Sequence, residues 1–145
     1  MAVTVSDRFD IAAAPEQVMR ALEDVERLPE WSSAHKGVEV LSRDDDGRPR
    51  LIRMTLSLFG FSDTQTIEHD WTERSTSWTL VESSMQRSQD GEYALEQLSH
   101  GTRVHLRMSL EPKVRVPGFL LRRGQKHAVE AVRDGLTAFV LNHYR

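Results

Sequence analysis

Apolar and polar positions alternate along most of this chain, and the places where alternation gives way to helical spacing divide it into elements. Val3, Val5, Phe9 and Ile11 fall on one face of an extended segment, because strand side chains point alternately to opposite faces. That predicts a strand over Val3 to Ile11. Val18, Met19, Leu22, Val25 and Leu28 then recur at helical spacing. Pro15 stands near the start of this run, where its missing N–H costs nothing, and Pro29 is expected to stop it. One helix, or two short ones, should lie there. After Trp31 the period returns to two. Val38 to Ser42 predicts a short strand, and Ile52, Met54, Leu56 and Leu58 alternate with polar residues in the next. Phe59-Gly60-Phe61 is expected to reverse the chain. Further strands follow at Asp63 to Trp71, Ser77 to Ser83, Gln89 to Leu98 and Thr102 to Glu111. Hairpin-length connections between them imply antiparallel pairing. Asp44-Asp45-Asp46-Gly47 reads as a hairpin turn.

Pro112 and Pro117 end the alternating region, and Phe119 to His143 predicts a long amphipathic helix. Leu121, Gln125, Ala128, Val129, Val132, Leu136, Phe139 and Val140 share one arc. Arg122, Arg123, Lys126, Glu130, Arg133 and Asp134 occupy the other. Gly124 and Gly135, with Ala128 and Ala131, make a flank of small side chains, fit either for close packing or for space left to a ligand.

The chain has 145 residues, a length that fits one domain, expected to span 1–145. It has no cysteine, which removes thiolate nucleophiles, disulfides and Cys-ligated metal sites. This suits a cytoplasmic protein without fixing the compartment. Asp7, Arg8 and Asp10 interrupt the first residues, so no secretory leader is expected there. The net charge of -3 argues against a nucleic-acid binder. That small value conceals a split. Pro112 to Val129 contains Lys113, Arg115, Arg122, Arg123 and Lys126 with no acid, a charge of +5, so the rest of the chain carries -8. Val114, Val116, Phe119, Leu120 and Leu121 interleave with these cations, a pattern that suits peripheral contact with an anionic membrane or simply a solvated helix face.

The chemistry-bearing residues follow from strand parity. If Ile67 and Trp71 face inward, so do Asp63, Gln65 and His69. If Trp78 and Leu80 face inward, so does Glu82; if Leu95 does, so does Tyr93. Glu68 and Asp70 then face away from His69, so this run of three makes a poor metal chelate, and no metal or cofactor is expected. Buried polar groups of this kind must pair with one another or line a wet pocket. In the catalytic reading, His69 is a general base or acid, Tyr93 a donor to a carbonyl or enolate oxygen, and Gln65 its orienting partner. In the structural reading they are satisfied interior groups. A one-residue bulge would reverse every facing beyond it.

Several local sequences resemble the START-like (SRPBCC) superfamily: Ile11 to Val18, the stretch Leu22 to Trp31 with its Asp-Val-x-x-x-Pro-x-Trp piece, Asp90 to Tyr93, Gly101 to Val104, and Pro117 to Leu121. The resemblance is greatest to the polyketide cyclase/dehydrase and coenzyme-Q-binding-like branch. It implies an α+β helix-grip fold, a curved antiparallel sheet of about seven strands wrapped around the long C-terminal helix, with short helices after the first strand. It also implies a cavity between sheet and helix for a small hydrophobic molecule, such as a lipid, quinone or polyketide-like compound. Trp31, Met54, Leu56, Asp63, Gln65, Ile67, Trp71, Trp78, Glu82, Met108, Gly135 and Phe139 are the expected ligand contacts, and His69 and Tyr93 the expected catalytic pair if the protein is a cyclase of the aromatase type. The expected cavity is in the ~300–1,000 Å³ range of small-molecule sites. A third reading, an interaction module with a filled core, holds if Trp71, Trp78 and Phe139 occupy the interior.

Overall fold

The computed structural model describes residues 2–58 and 60–145, with Leu58 and Phe61 described in their backbone only. Phe59, in the expected reversal, lies outside the described residues. The elements run β1 (Val3–Ile11), α1 (Pro15–Glu23), a single 3-10 turn (Val25–Arg27), α2 (Leu28–Trp31), β2 (His35–Arg43), β3 (Pro49–Leu58), β4 (Phe61–Trp71), β5 (Ser75–Ser83), β6 (Gln86–Leu98), β7 (Gly101–Pro112) and α3 (Gly118–His143). The seven strands form one antiparallel sheet in the order β1-β7-β6-β5-β4-β3-β2. The sheet curves around α3, the expected helix-grip arrangement. Its apolar face has to be covered, and α3 supplies Leu136, Phe139 and Val140, each at most 3% exposed, against Ile11, Ile52, Val104 and Leu106.

Pro29 does not end the helical run. It is the second residue of α2, a first-turn position where no N–H is needed; the break comes earlier, at the 3-10 turn. The Asp44–Gly47 turn forms as expected, with the Gly47 N–H donating to the Asp44 carbonyl at 2.9 Å and Gly47 at φ +90°.

The departure from the alternating pattern that bears on the inward-facing polar residues lies in β5. Thr66 pairs with Glu82 but Ile67 pairs with Leu80, so Val81 is an extra residue, a bulge. Trp78 is buried; beyond the bulge Val81 is 56% exposed, Glu82 is exposed, and Ser83 turns inward instead. The expected inward facing of Glu82 is therefore reversed, for the reason that a bulge shifts parity by one. Thr66, which has the parity of the outward-facing Glu68 and Asp70, is nevertheless buried beside the same bulge.

Candidate functional site

A cavity of about 100 Å³ lies between the inner face of the sheet and a roof made by α1, the 3-10 turn, α2 and the middle of α3. The strands place Met54, Gln65, Ile67, His69, Trp78, Tyr93 and Met108 on its floor, and Trp31 on its roof. These are eight of the residues expected from the sequence. Trp78 owes its position to Gly91, its partner in β6: a Cβ there would run into the indole, which lies over the glycine.

The other expected contacts are elsewhere. Leu56 is core, and Trp71 is stacked on His69 at 5.0 Å outside the cavity, its Nε1 donating to the Pro49 carbonyl. Phe139 packs behind Trp31 at 6.2 Å. Gly135 meets the Trp31 carbonyl oxygen, where a Cβ would collide; its missing side chain makes room for α2, not for a ligand. Glu82 is exposed. Sequence parity did not single out Ala21, Leu22, Val25, Leu28, His35, Gln89 and Val132, which complete the lining. Gln89 shares the parity of Tyr93, so its facing was legible. His35 precedes the strand the alternation marks out, because β2 begins three residues earlier than Val38.

Asp63 is fully buried next to the cavity and anchors a chain of amides. It accepts hydrogen bonds from Ser83 Oγ (2.8 and 2.9 Å), Ser84 Oγ (2.8 Å), the Met85 N–H (3.1 Å) and Gln86 Nε2 (2.7 Å). Burial works to raise its pKa, but the combined donors of Gln86, Ser83, Ser84 and Met85 outweigh burial and hold the carboxyl below its ordinary value. Gln86 also donates to Gln65 Oε1 at 2.8 Å. Gln89 Nε2 donates to Gln65 Oε1 at 3.1 Å and to Gln86 Oε1 at 2.6 Å. Trp78 Nε1 closes the chain by donating to Gln89 Oε1 at 2.8 Å.

The two imidazoles of the lining are both uncharged at neutral pH. Burial lowers His69 to about 4 and His35 to about 4. His69 Nδ1 is 2.7 Å from Thr76 Oγ1, and that hydroxyl donates to the Asp70 carbonyl at 3.0 Å. His35 Nδ1 is 2.6 Å from Ser32 Oγ. Burial pushes the Tyr93 hydroxyl above its usual range, and it makes no hydrogen bond with the described residues. Trp31 Nε1 is a buried donor with no partner among the described residues.

Glu68-His69-Asp70 divides as parity requires: His69 faces in, Asp70 is exposed and Glu68 half-buried on the other side. No helix among the described residues is long and apolar enough to cross a membrane.

The family model described as polyketide cyclase/dehydrase and lipid transport matches residues 11–137. Among solved structures, a START superfamily protein from Mycobacterium smegmatis superposes with a TM-score of 0.89 at 22% identity, over 96% of this chain and 97% of that one. A protein from Thermus thermophilus gives 0.85 at 24% identity over 99% and 100%. The ZhuI aromatase/cyclase of Streptomyces sp. R1128 gives 0.81 at 16% identity over 100% and 97%. No curated protein matches the chain.

Proposed function

Because the chain belongs to the polyketide cyclase/dehydrase and lipid transport family, we propose that it binds a small, uncharged hydrophobic molecule in the cavity beneath α1 and α2. The observation that carries this reading is the lining itself: apolar side chains and neutral polar groups, with no ionised side chain among the described lining residues. An ion entering such a site would lose its hydration without gaining a partner.

The same lining weighs against proton-transfer chemistry. A general base works best with a pKa near the operating pH. His69 titrates at about 4, and burial moves Tyr93 the other way. Neither group takes or gives a proton readily at pH 7. Asp63 has all its acceptor capacity engaged, and Glu82 faces solvent. A cyclase would need one of these to reach substrate in a usable state. The cavity is also smaller than the range expected from sequence, and favours a single ring over a lipid chain or a fused polyketide.

Trp31 and Trp78 in the wall provide the readout. Titration with small neutral aromatic compounds should change tryptophan emission and shift the cavity methyl signals of Met54 and Met108. Val132→Phe, which fills the cavity from α3 and leaves all four reporters in place, should abolish both changes. If no neutral aromatic compound at millimolar concentration moved those signals, the reading would be wrong.

The basic segment supports a second element of the proposal, peripheral contact with an anionic membrane from the cytoplasmic side. Lys113, Arg115, Arg122, Arg123 and Lys126 are all exposed. None is paired with a carboxylate among the described residues, and Lys113 donates to the Ser83 carbonyl. Phe119, Leu120 and Val114 stand out among them at 69%, 44% and 54% exposure.

A further inference from the structure

The hydrogen bonds around the cavity have a fixed direction, and that direction specifies a ligand more closely than hydrophobicity does. Asp63 is ionised and can only accept. Gln86 must therefore turn its NH₂ group toward Asp63, which leaves Gln86 Oε1 to accept from Gln89. Gln89 in turn has only its Oε1 for the Trp78 indole N–H. Both amide nitrogens converge on Gln65 Oε1. What Gln65 retains for the cavity is its NH₂ group, a pure donor with no partner among the described residues.

The other end of the floor has the opposite polarity. The Thr76 hydroxyl has one proton, and it goes to the Asp70 carbonyl, which can only accept. Thr76 Oγ1 must then accept from His69, so the proton of the neutral ring sits on Nδ1. His69 is left with an unprotonated Nε2, a pure acceptor that makes no hydrogen bond with the described residues.

Gln65 and His69 lie four residues apart on β4 with Ile67 between them on the same face. Their Cα atoms are about 13 Å apart at roughly 3.3 Å per residue, and each side chain spans part of that distance. The floor is thus a donor, an apolar patch and an acceptor in line. A volume of about 100 Å³ is of the order that a single ring needs, since an apolar cavity of about 150 Å³ takes benzene. The thioethers of Met54 and Met108 give the wall some room to adjust.

From this juxtaposition, which rests on the binding reading above, we propose that the ligand is a neutral single-ring hydroxyaryl carbonyl compound. Its carbonyl oxygen accepts from Gln65 and its hydroxyl donates to His69 Nε2, with the ring over Ile67. Asp63 acts as a positioning residue, fixing which way the glutamine amides face. A quinone lacks the donor, and a carboxylate finds no cation among the described lining residues.

The test is a calorimetric titration of the wild-type protein with four probes: 4-hydroxybenzaldehyde, 4-methoxybenzaldehyde, 4-methylphenol and 4-methylanisole. The hydroxy-aldehyde should bind best. Loss of either polar group should weaken binding about tenfold, and loss of both by more, since each leaves a buried partner unsatisfied. Equal binding of all four would overturn the proposed polarity while keeping the hydrophobic site; binding of none would overturn the site as well. Nitrogen-15 NMR of His69 supplies a measurement that needs no variant: a protonated Nδ1 and bare Nε2 in the free protein support the assignment, and the reverse tautomer overturns it. His69→Phe should erase the preference for hydroxyl over methoxy and leave the preference for the carbonyl. Retention of the hydroxyl preference in that variant would refute the role of His69.

Discussion

A single buried imidazole carries a measurable share of the pH dependence of this fold. His69 titrates at about 4 in the native protein against an ordinary 6.5. The unfolded chain therefore binds the proton first as pH falls, and stability is complete above pH 6.5 and is lost between there and 4. The full loss is about 3 kcal/mol, at 1.36 kcal/mol per unit. By pH 5 roughly 2 kcal/mol of it should be gone. His35 acts in the same direction. Asp63 adds a separate limb at lower pH: its pKa is held below the ordinary 3.8, so its contribution is present above that value and fades as pH falls through the native one. Urea unfolding of wild type and His69→Gln at pH 7 and pH 5 isolates the histidine. The variant should show a drop smaller by about 2 kcal/mol; an unchanged drop would show that burial does not hold the ring neutral. Gly135 offers a second prediction of this kind. A Cβ there meets the backbone of Trp31, which cannot rotate away, so Gly135→Ala should cost about 1–3 kcal/mol in thermal or chemical unfolding. An unchanged melting temperature would mean α2 does not press on α3 as described.

Among the elements, β5 shows how far the pattern of the chain could be read. Period-two alternation correctly turned Asp63, Gln65, His69 and Tyr93 inward, because β4 runs without interruption over 63–71 and β6 keeps its parity from Gln89 to Leu95. It failed at Glu82 because the extra residue Val81 has no marker in composition: it is a β-branched residue in a strand, as its neighbours allow. It also missed the roof. Leu22, Val25 and Leu28 were legible as one apolar helix face, but only the docking of that face over the sheet makes them cavity wall, and docking is a tertiary event. The bulge has a structural purpose that can be tested. It brings Ser83 inward to Asp63, and Ser84 and Met85 follow at the head of the hairpin. Deleting Val81 should restore simple alternation with Leu80 still opposite Ile67, Glu82 opposite Thr66 and Ser83 opposite Gln65, so that Ser83 stays inward and Glu82 outward. The deletion should therefore keep the donors of Asp63 in place and unfold within about 1 kcal/mol of wild type. Val81→Thr, which keeps the extra residue, should unfold within about 0.5 kcal/mol of wild type. A loss of several kcal/mol on deletion would show that the bulged backbone itself, and not only the facing it sets, holds the Asp63 cluster.

For the molecule as a whole, the telling feature is where charge is left uncompensated. Elsewhere on the surface the charged residues are largely interleaved: Arg103 with Asp10, Arg107 with Asp90, Arg50 with Glu68, Arg43 with Glu26. The end of the sheet where β7 passes into α3 is different, with five cations and three exposed apolar side chains gathered over 113–126. Pairing would have been available to a chain with 22 acidic residues, so the segregation creates a face with one sign of charge. Each basic residue near an anionic bilayer surface contributes about 1 kcal/mol at moderate salt, and a few apolar side chains add burial at the interface. Attraction of this kind decays over a Debye length of about 8 Å at physiological ionic strength. The protein should therefore co-sediment with phosphatidylcholine vesicles containing phosphatidylglycerol at low salt, release as salt rises, and ignore vesicles of phosphatidylcholine alone. Reversing two charges, Arg122→Glu with Arg123→Glu, should weaken vesicle binding by more than tenfold, by analogy with about 1 kcal/mol for each charge removed and more for each reversed, while leaving cavity titrations with aromatic probes unchanged. Absence of binding to anionic vesicles at low salt would remove the membrane from the proposal and leave the cavity reading intact, because the two rest on opposite features of the molecule: one on cations exposed without carboxylate partners among the described residues, the other on a lining of uncharged groups.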